Sequence, residues 1–433
     1  MAQVYDTYKD SGIQWIGKIP SHWTPCTVRT FAQEYTEKNK PEKTRELLAL
    51  SYALGVTLYR DKQFNMDRVK EDYEEYKIVH ENDLVLSPND IIKGSVYVSK
   101  YYGCISPMYL IFKSRFEDKN YLLYLSYLLR TQQAGRKFFS IAKGLIGSIL
   151  DNGKYVTRRM SVSRYDLLTF KVVMPPIDEQ SKIVSFLDDK CSKIDKWIAK
   201  KQEEVELLGE LKQRMIATAV TRGINQSVEI KHTNIAWLPE IPAHWEQRKI
   251  KYVFGERSEK NHPDEPMLSA TQSEGVILQS KYSGRVVVVN TGFEGLKFVK
   301  VGDFVIHLRS FQGGIEIAHD QGIISSAYTI LSPNYPEYSD YYKYLFKCSP
   351  FIDLLKTCVT GIREGQNINY SKLKQNFVPV PPLSEQRLIV SYISNKSVKI
   401  DNLIENINKE IESIREYKQR LISDVVTGQI KVC

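Results

Sequence analysis

The sequence contains no arrangement of cysteine or histidine that is typical of a disulfide framework or a metal site. Its six cysteines are scattered over 433 residues without a C-x-x-C pair, and its seven histidines show no metal-binding spacing. No serine stands in a G-x-S-x-G motif. The segment GIQWIGKI, starting at Gly12, fails as a phosphate-binding loop because Ile19 replaces the required Ser or Thr. We therefore expect no active site on this chain.

The sequence also lacks a long hydrophobic run. No apolar stretch approaches the roughly 18 residues of a membrane span, and the start MAQVYDTYKD does not resemble a signal peptide. Unpaired cysteines suit a reducing compartment, so we expect a cytoplasmic protein without membrane contact. The length allows two or three domains, and the formal net charge is +9.

Two short phrases occur twice along the chain. IPSHWTPCTVR starts at Ile19 and IPAHWEQRKIK at Ile241, with a shift of 222 positions. PPIDEQ starts at Pro175 and PPLSEQ at Pro381, with a shift of 206, and about 22 of the 50 positions that follow are identical. The order is a globular part, a P-P-x-x-E-Q segment, a second globular part and a second segment. The chain is therefore a tandem duplication.

The two P-P-x-x-E-Q segments are predicted to be long helices. Asp178 and Ser384 stand where an N-cap is expected, the prolines precede them, and Gly223 and Gly428 follow as stop signals. Apolar residues recur at alternating steps of three and four over about five heptads, which is the pattern of a coiled-coil seam. The predicted inward positions are Ile183, Leu187, Cys191, Ile194, Ile198, Lys201, Val205, Leu208, Leu211 and Met215 in the first helix, and Ile389, Ile393, Ser397, Ile400, Ile404, Ile407, Ile411, Ile414, Tyr417 and Leu421 in the second.

A seam this narrow needs a partner helix, and the natural partner is the other copy. In the alternative interpretation, each helix lies on its own globular part. The histidine of each I-P-x-H-W phrase, His22 or His244, is interpreted as part of a tryptophan-anchored turn and not as a ligand or catalyst.

The globular parts are predicted to be mixed α/β. The predicted short strands are DLVLS, SVYVS and MYLIFK in the first part and RVVVVN, DFVIHL and AYTIL in the second. NYLLYLSYLLR from Asn120 and DYYKYLFKCS from Asp340 are predicted as helices in matching places, each followed by a glycine-containing loop. The expected organisation is domain 1 over residues 1–178, a helix over 179–224, domain 2 over 225–380 and a helix over 381–433.

Basic charge is concentrated in one part of domain 1. Residues 130–171 hold nine Lys or Arg side chains and two acidic ones, interleaved with Tyr and Phe. Such a patch suits a nucleic-acid backbone, although a solvated basic face is an equally good interpretation of this patch alone. In domain 2, LRSFQGG and IREGQN offer the side chains that read base edges. The candidate DNA-binding residues are Lys93, Arg136, Lys137, Lys143, Arg158, Arg159, Arg309, Gln312, Arg363, Gln366 and Asn367.

With the I-P-x-H-W openings, the P-P-x-x-E-Q joints and the long helices together, the chain resembles the specificity (S) subunit of a type I restriction-modification enzyme over essentially its whole length. The resemblance implies two target-recognition domains separated by two helices that pair as an antiparallel coiled coil, with pseudo-twofold symmetry. It implies that each domain reads one half of a split site in double-stranded DNA. Because the two domains differ in sequence, we expect an asymmetric target.

The resemblance also implies protein partners: two methyltransferase (M) subunits and, through them, restriction (R) subunits. S-adenosylmethionine on M, and ATP with magnesium on R, would be the cofactors, and this chain would hold none. Three alternatives stay open. They are a stand-alone nuclease or methyltransferase, a coiled-coil scaffold without DNA specificity, and an S-like DNA-targeting subunit of another phage-defence assembly.

Overall fold

The structure is a computed structural model. It describes residues 4–52, 54–61, 72–144, 146–149, 155–157, 160–225, 227–233, 235–284, 292–307, 310–335, 339–360 and 367–432. The chain divides into two compact units, of which unit 1 comprises residues 1–200 with 409–433 and unit 2 comprises residues 201–408. Each unit therefore holds one globular domain together with a part of both long helices.

Unit 1 contains domain 1. Its strands are β1 (Tyr8–Asp10), β2 (Lys18–Pro20), β3 (Thr24–Thr27), β4 (Ala32–Glu34), β5 (Leu48–Ser51), β6 (Gly55–Leu58), β7 (Lys77–Val79), β8 (Leu84–Leu86), β9 (Val96–Val98), β10 (Gly103–Ile105), β11 (Leu110–Ser114), β12 (Ile146–Ile149), β13 (Tyr155–Thr157) and β14 (Lys171–Met174). Its short helices are α1 (Val28–Phe31), α2 (Asn120–Leu129), α3 (Gln132–Ile141) and α4 (Arg164–Leu168). An antiparallel sheet in the order β4-β11-β8-β9 lies at its centre, and α2 and α3 pack near it.

Unit 2 contains domain 2. Its strands are β15 (Ile230–His232), β16 (Glu240–Pro242), β17 (Glu246–Lys249), β18 (Phe254–Arg257), β19 (Leu268–Thr271), β20 (Gly275–Leu278), β21 (Lys297–Val299), β22 (Phe304–Ile306), β23 (Glu316–Ile317), β24 (Gly322–Ile324), β25 (Thr329–Pro333), β26 (Val359–Thr360), β27 (Asn367–Ile368) and β28 (Phe377–Val380). Its short helices are α6 (Ile250–Val253), α7 (Ser310–Gly313), α8 (Ser339–Leu345), α9 (Ser349–Thr357) and α10 (Tyr370–Leu373). The central sheet has the order β18-β25-β22-β23, which repeats the order of domain 1.

The two long helices are α5 (Ile177–Arg222) and α11 (Leu383–Val426). In unit 1 the start of α5 packs into the core of domain 1, and so does the end of α11. In unit 2 the end of α5 and the start of α11 pack together in the core of domain 2. The helices are therefore antiparallel in each unit, and each helix also rests on its own domain near its first turns.

Two details of the predicted helices were wrong. The helices begin at Ile177 and Leu383, so Asp178 and Ser384 lie in the first turn and are not N-caps. Leu211 and Tyr417, predicted to face the seam, are 53% and 45% exposed. The lysine next to each of them, Lys212 or Lys418, bonds to an aspartate of the opposite helix instead.

The predicted strands and helices of the globular parts are largely confirmed. DLVLS, SVYVS and DFVIHL contain β8, β9 and β22, MYLIFK and AYTIL overlap β11 and β25, and the two predicted helices coincide with α2 and α8. The segment RVVVVN lies outside the described residues. The loops predicted after these helices contain short antiparallel pairs, β12 with β13 and β26 with β27, because two extended segments there satisfy each other's backbone groups.

Candidate nucleic-acid interface and its helix junctions

The first I-P-x-H-W phrase contacts the first turn of α5. Glu179 accepts hydrogen bonds from Trp23 Nε1, at 3.2 Å, and from the hydroxyl of Tyr5, and its other oxygen lies 2.8 Å from His22 Nε2. Trp23 is fully buried, so its indole N–H needs this acceptor. A carboxylate in the first turn is also favoured by the helix dipole. The phrase therefore anchors domain 1 to its helix.

The second phrase makes the same junction in unit 2. Glu385 Oε2 lies 3.0 Å from Trp245 Nε1 and 2.7 Å from His244 Nε2. The interpretation of both histidines as members of a tryptophan-anchored turn is confirmed. The glutamine that follows each glutamate closes the helix start, because the side-chain amides of Gln180 and Gln386 donate to the carbonyls of Pro175 and Pro381 at 2.7 and 2.8 Å. All four letters of P-P-x-x-E-Q thus have a structural role.

The end of each long helix seats on the domain at which the other helix begins. Tyr124 of domain 1 donates to the Val426 carbonyl at 2.7 Å, and Tyr341 of domain 2 donates to the Val220 carbonyl at 2.5 Å. Val220 and Val426 are related by the 206-residue shift of the repeat. After the second helix, Gly428 has φ +75° and lies against Trp23, where a Cβ would stand 2.3 Å from Pro20. Only glycine fits this position without displacement.

One ion pair joins the two helices in each unit. Lys418 Nζ lies 2.6 Å from Asp195 in unit 1, and Lys212 Nζ lies 2.7 Å from Asp401 in unit 2. The shift of 206 converts Asp195 into Asp401 and Lys212 into Lys418, so the same pair occurs twice. The lysines are only 22% and 24% exposed. These four residues therefore specify one antiparallel register in both units.

Each domain carries a buried aspartate at the turn that leads into its central sheet, but with a different partner. Asp83 accepts from the Tyr35 hydroxyl and from the His80 backbone N–H at 2.6 Å, and burial raises the pKa of Asp83. Asp303 instead binds the guanidinium of Arg257, with Nε at 2.8 Å. The turns are alike because both aspartates cap the same backbone. The side chains around them differ.

The candidate DNA-binding residues of domain 1 fall in two places. Lys93 is exposed at the end of the turn after β8, and Arg136 and Lys137 are exposed on α3. Helix α3 packs on that turn, since a Cβ at Gly135 would stand 2.6 Å from the Ile92 carbonyl oxygen. The structure therefore brings these three residues into one region. Lys143 is exposed beyond α3, in a backbone bridge to Ser161.

In domain 2, Gln312 is exposed on α7, and Asn367 is exposed on β27. These two elements contact each other, so both amide side chains belong to one part of the domain. The remaining candidates, Arg158, Arg159, Arg309, Arg363 and Gln366, lie outside the described residues.

The chain is similar over nearly its whole length to curated proteins. It is 26% identical to the putative type I restriction enzyme MjaX specificity subunit of Methanocaldococcus jannaschii, covering 96% of each chain. It is 25% identical to the MjaVIII specificity subunit of the same organism, covering 96% of this chain and 94% of the relative. No protein-family profile matches it. The chain is therefore a homologue of type I restriction enzyme specificity subunits.

The fold agrees with this family. A chain solved in work on complex assembly and conformational transition of the type I restriction-modification system superimposes with a TM-score of 0.64. The match covers 94% of this specificity subunit and 98% of the solved chain, at 12% identity. The duplicated α/β architecture with two long helices is therefore a fold that this chain shares with that solved chain.

Several residues of this specificity subunit matter to its architecture but were not expected to contact each other. Sequence reasoning treated the P-P-x-x-E-Q and I-P-x-H-W phrases separately and did not connect Glu179 and Glu385 with the histidine and tryptophan that bind them. The available signal was recurrence, since glutamate, histidine and tryptophan each return in both copies.

Among the described residues, this specificity subunit has no group of three or more His, Cys, Asp or Glu side chains arranged to hold a metal ion. Within the same part of the chain, no helix combines the length and the apolar character needed to cross a membrane.

Proposed function

We propose that this specificity subunit selects an asymmetric, two-part site in double-stranded DNA, with one recognition domain for each part, and presents two equivalent docking faces to methyltransferase subunits. Specificity subunits are the non-catalytic members of their systems. The observation that carries the proposal is that the two domains share one fold but differ in their exposed side chains. Both domains repeat one strand order and one helix junction, whereas the exposed side chains around their loops differ.

The difference between the domains is clearest after the second strand of each central sheet. Domain 1 continues from β8 into a turn that ends in exposed Lys93, while domain 2 continues from β22 toward exposed Gln312. A lysine supplies a point charge for phosphate, and a glutamine amide can bond bidentately to adenine. Two domains with such different groups would prefer different half-sites.

The basic region of domain 1 supports a phosphate contact. Arg136 and Lys137 stand side by side on α3 and are exposed, and Lys93 lies on the turn beneath that helix. Backbone contacts of this kind supply affinity and fix the register, while base contacts supply sequence preference. We assign these three residues to the DNA backbone and Gln312 with Asn367 to base edges.

The docking faces are supported by apolar side chains that recur on the long helices. Trp197 and Leu403 are 37% and 53% exposed and are related by the 206-residue shift. Leu211 and Tyr417 form a second such pair. Leu211 and Tyr417 are next in sequence to the lysines of the inter-helix ion pairs, and Trp197 and Leu403 lie two residues after the aspartates. Exposed apolar groups repeated by the duplication suit two copies of one protein partner.

The partners would hold the reactive cofactors. In this proposal S-adenosylmethionine binds to the two methyltransferase subunits, and ATP with magnesium binds to restriction subunits if the system has them. The specificity subunit contributes the target choice and the symmetry of the assembly.

The test is co-expression of the chain with its methyltransferase subunits, followed by mapping of methylated adenines on DNA of random sequence. We expect one asymmetric motif in two parts. Gln312→Ala should relax the preference in one part by about 1–3 kcal/mol, whereas Arg136→Ala should weaken binding to all sequences alike. A symmetric motif, an unbroken motif or an absence of methylation would contradict the proposal.

Native mass spectrometry of the same complex tests the docking faces. The expected composition is two methyltransferase subunits per chain, and Trp197→Asp or Leu403→Asp should each reduce it to one. Val398→Asp is the matched control, because Val398 is 55% exposed on the same helix as Leu403 but its repeat counterpart is the polar Ser192. If the Val398→Asp control also loses a methyltransferase subunit, or if Trp197→Asp and Leu403→Asp both keep two, the docking faces lie elsewhere.

A further inference from the structure

The two domains hold equivalent hairpin turns by different chemistry. Strands β5 and β6 pair in domain 1 with Ser51 opposite Gly55, and β19 and β20 pair in domain 2 with Thr271 opposite Gly275. The registers of the two hairpins match residue for residue over four pairs. The first residue of the turn is therefore Tyr52 in domain 1 and Gln272 in domain 2.

In domain 2, an ion pair between Lys347 and a buried carboxylate fixes this turn. Lys347 Nζ donates to the Gln272 backbone carbonyl at 2.9 Å and lies 2.5 Å from Glu316 Oε1. Glu316 stands on β23, and its side chain is only 1% exposed. Its second carboxylate oxygen is also buried and has no hydrogen-bond partner. The cluster therefore contains a carboxylate that is incompletely satisfied inside the domain.

In domain 1, aromatic side chains fix the equivalent turn. The Tyr97 hydroxyl donates to the Tyr52 backbone carbonyl at 2.5 Å. The guanidinium of Arg130 lies over the Tyr97 ring, 4.4 Å from its centre. The carbonyl at the same position of the hairpin is thus held in both domains, by a hydroxyl in one and by an ammonium group in the other.

The duplication shows that the buried carboxylate is not required by the fold. The register of the strands places Tyr97 at the position of Glu316, because Tyr97 pairs with Val85 of β8 and Glu316 pairs with Val305, the equivalent residue of β22. Arg130 takes the position of Lys347, because Gly94 and Gly314, which precede β9 and β23, lie against Arg130 and Lys347 respectively. A buried ionisable group costs free energy, and domain 1 forms the same sheet without it. We therefore infer that the Glu316–Lys347 pair holds an exposed turn of domain 2 in place.

The turn borders the residues already assigned to base edges. Gln272 is exposed, and a Cβ built at Gly313 would stand 3.1 Å from its amide carbon and nitrogen. Its side chain therefore lies against the last residue of α7, directly after Gln312. Tyr52 is likewise exposed, at 58%.

We propose that Gln272 and Tyr52 are specificity-determining residues for the two half-sites, held in place by the Glu316–Lys347 and Arg130–Tyr97 pairs, which are positioning residues. Gln272 supplies a donor and an acceptor to one base edge, and Tyr52 supplies an apolar ring that contacts a thymine methyl group. This inference rests on the proposed function, because it names further residues of the same DNA-reading surface.

The test is enrichment of a randomised duplex library by the full chain in complex with its methyltransferase subunits. Gln272→Ala should reduce base discrimination about tenfold or more at one or two adjacent positions of one half-site, and leave the other half-site unchanged. Tyr52→Ala should reduce base discrimination in the other half-site and leave the first unchanged. Gln202→Ala is the matched control, since Gln202 is an exposed glutamine on α5 and should change neither half-site.

A second variant tests the positioning role. Glu316→Val combined with Lys347→Met removes the charged pair and should relax the same base positions as Gln272→Ala, although Gln272 is present. Lys347→Arg should preserve most of the preference. Equal weakening on all sequences would show a general structural role and overturn the positioning part.

The outcomes distinguish failure of the proposed function from failure of this inference. If the wild-type complex enriches no two-part sequence, the proposed function fails. If it does so and Gln272→Ala retains both half-sites unchanged, this inference alone is wrong. Should the double variant fail to fold, as judged by its thermal melting, the surface variants Gln272→Ala and Tyr52→Ala still decide the assignment.

Discussion

Replacement of Glu316 by glutamine should stabilise domain 2 at alkaline pH and not at acid pH. Burial raises the pKa of this carboxyl from 4.5 to about 7, although its hydrogen bond to Lys347 opposes the change. The folded domain therefore binds the proton more tightly than the unfolded chain. Stability from this group is fully present below about pH 4.5 and is lost as the pH rises through about 7. Glutamine keeps the shape and removes the titration.

The magnitude follows from the two pKa values. Each pKa unit of difference corresponds to about 1.4 kcal/mol, so the change from 4.5 to about 7 corresponds to a loss of at most about 3.5 kcal/mol between acid and alkaline pH. Lys347 is 32% exposed, and solvent near it screens part of the interaction. We therefore expect Glu316→Gln to raise the unfolding free energy of domain 2 by roughly 1–3 kcal/mol at pH 8.

Hydrogen exchange of backbone amides measures this effect in one domain at a time. The amides of β22 report on domain 2, and those of β8 report on domain 1, where Tyr97 stands at the position of the carboxylate. The exchange rates of the β22 amides should differ between variant and wild type at pH 8 and be equal at pH 5. The exchange rates of the β8 amides should be equal at both pH values. An equal effect at both pH values would mean that ionisation of Glu316 is not the cause.

Three further predictions concern the helices. Residues 1–224 alone should form a homodimer through α5, with Asp195 of each copy paired to Lys212 of the other, and with methyltransferase subunits it should methylate a palindrome; a monomer by light scattering would contradict this. Deleting seven residues from the middle of each long helix removes about 10 Å, or some three base pairs, and should shorten the recognised spacer or abolish specific methylation; unchanged activity at the original spacing would mean that the helices do not set it. Glu385→Ala should lower the unfolding free energy of domain 2 by about 2–3 kcal/mol in hydrogen exchange because it leaves the buried indole N–H of Trp245 without its acceptor, while domain 1 stays unchanged; an equal loss in both domains would contradict a local junction.

The repeat, the strands and most of the helix seam could be predicted from the sequence because each leaves a periodic or recurring pattern. The exposed Leu211 could not, because an α-helix drifts by about 20° per heptad relative to its partner. That drift decides whether Leu211 or Lys212 faces the other helix, and the partner Asp401 lies 189 residues away. Contacts at such a separation leave no local pattern.

The surface around Gln272 escaped prediction for a similar reason. An exposed glutamine in a hairpin turn is ordinary, and Lys347, which holds it, is 75 residues distant. The sequence did indicate Gln312, because it stands in a short glycine-rich segment with an arginine. The different contacts that hold the two turn carbonyls became visible only when the two hairpins could be compared in space.

The junction between each domain and its helix has a consequence for inheritance. Glu179 and Glu385 hold their domains through the same histidine and tryptophan, and none of these residues lies in the turns assigned to DNA. A recombination event with breakpoints at the two phrases would exchange a whole domain and leave the anchoring contacts intact. The host could thus acquire a new target in a single genetic step, while the partner proteins continue to meet an unaltered pair of helices. Diversification against invading DNA would then proceed by substitution of modules and not by gradual change of one surface.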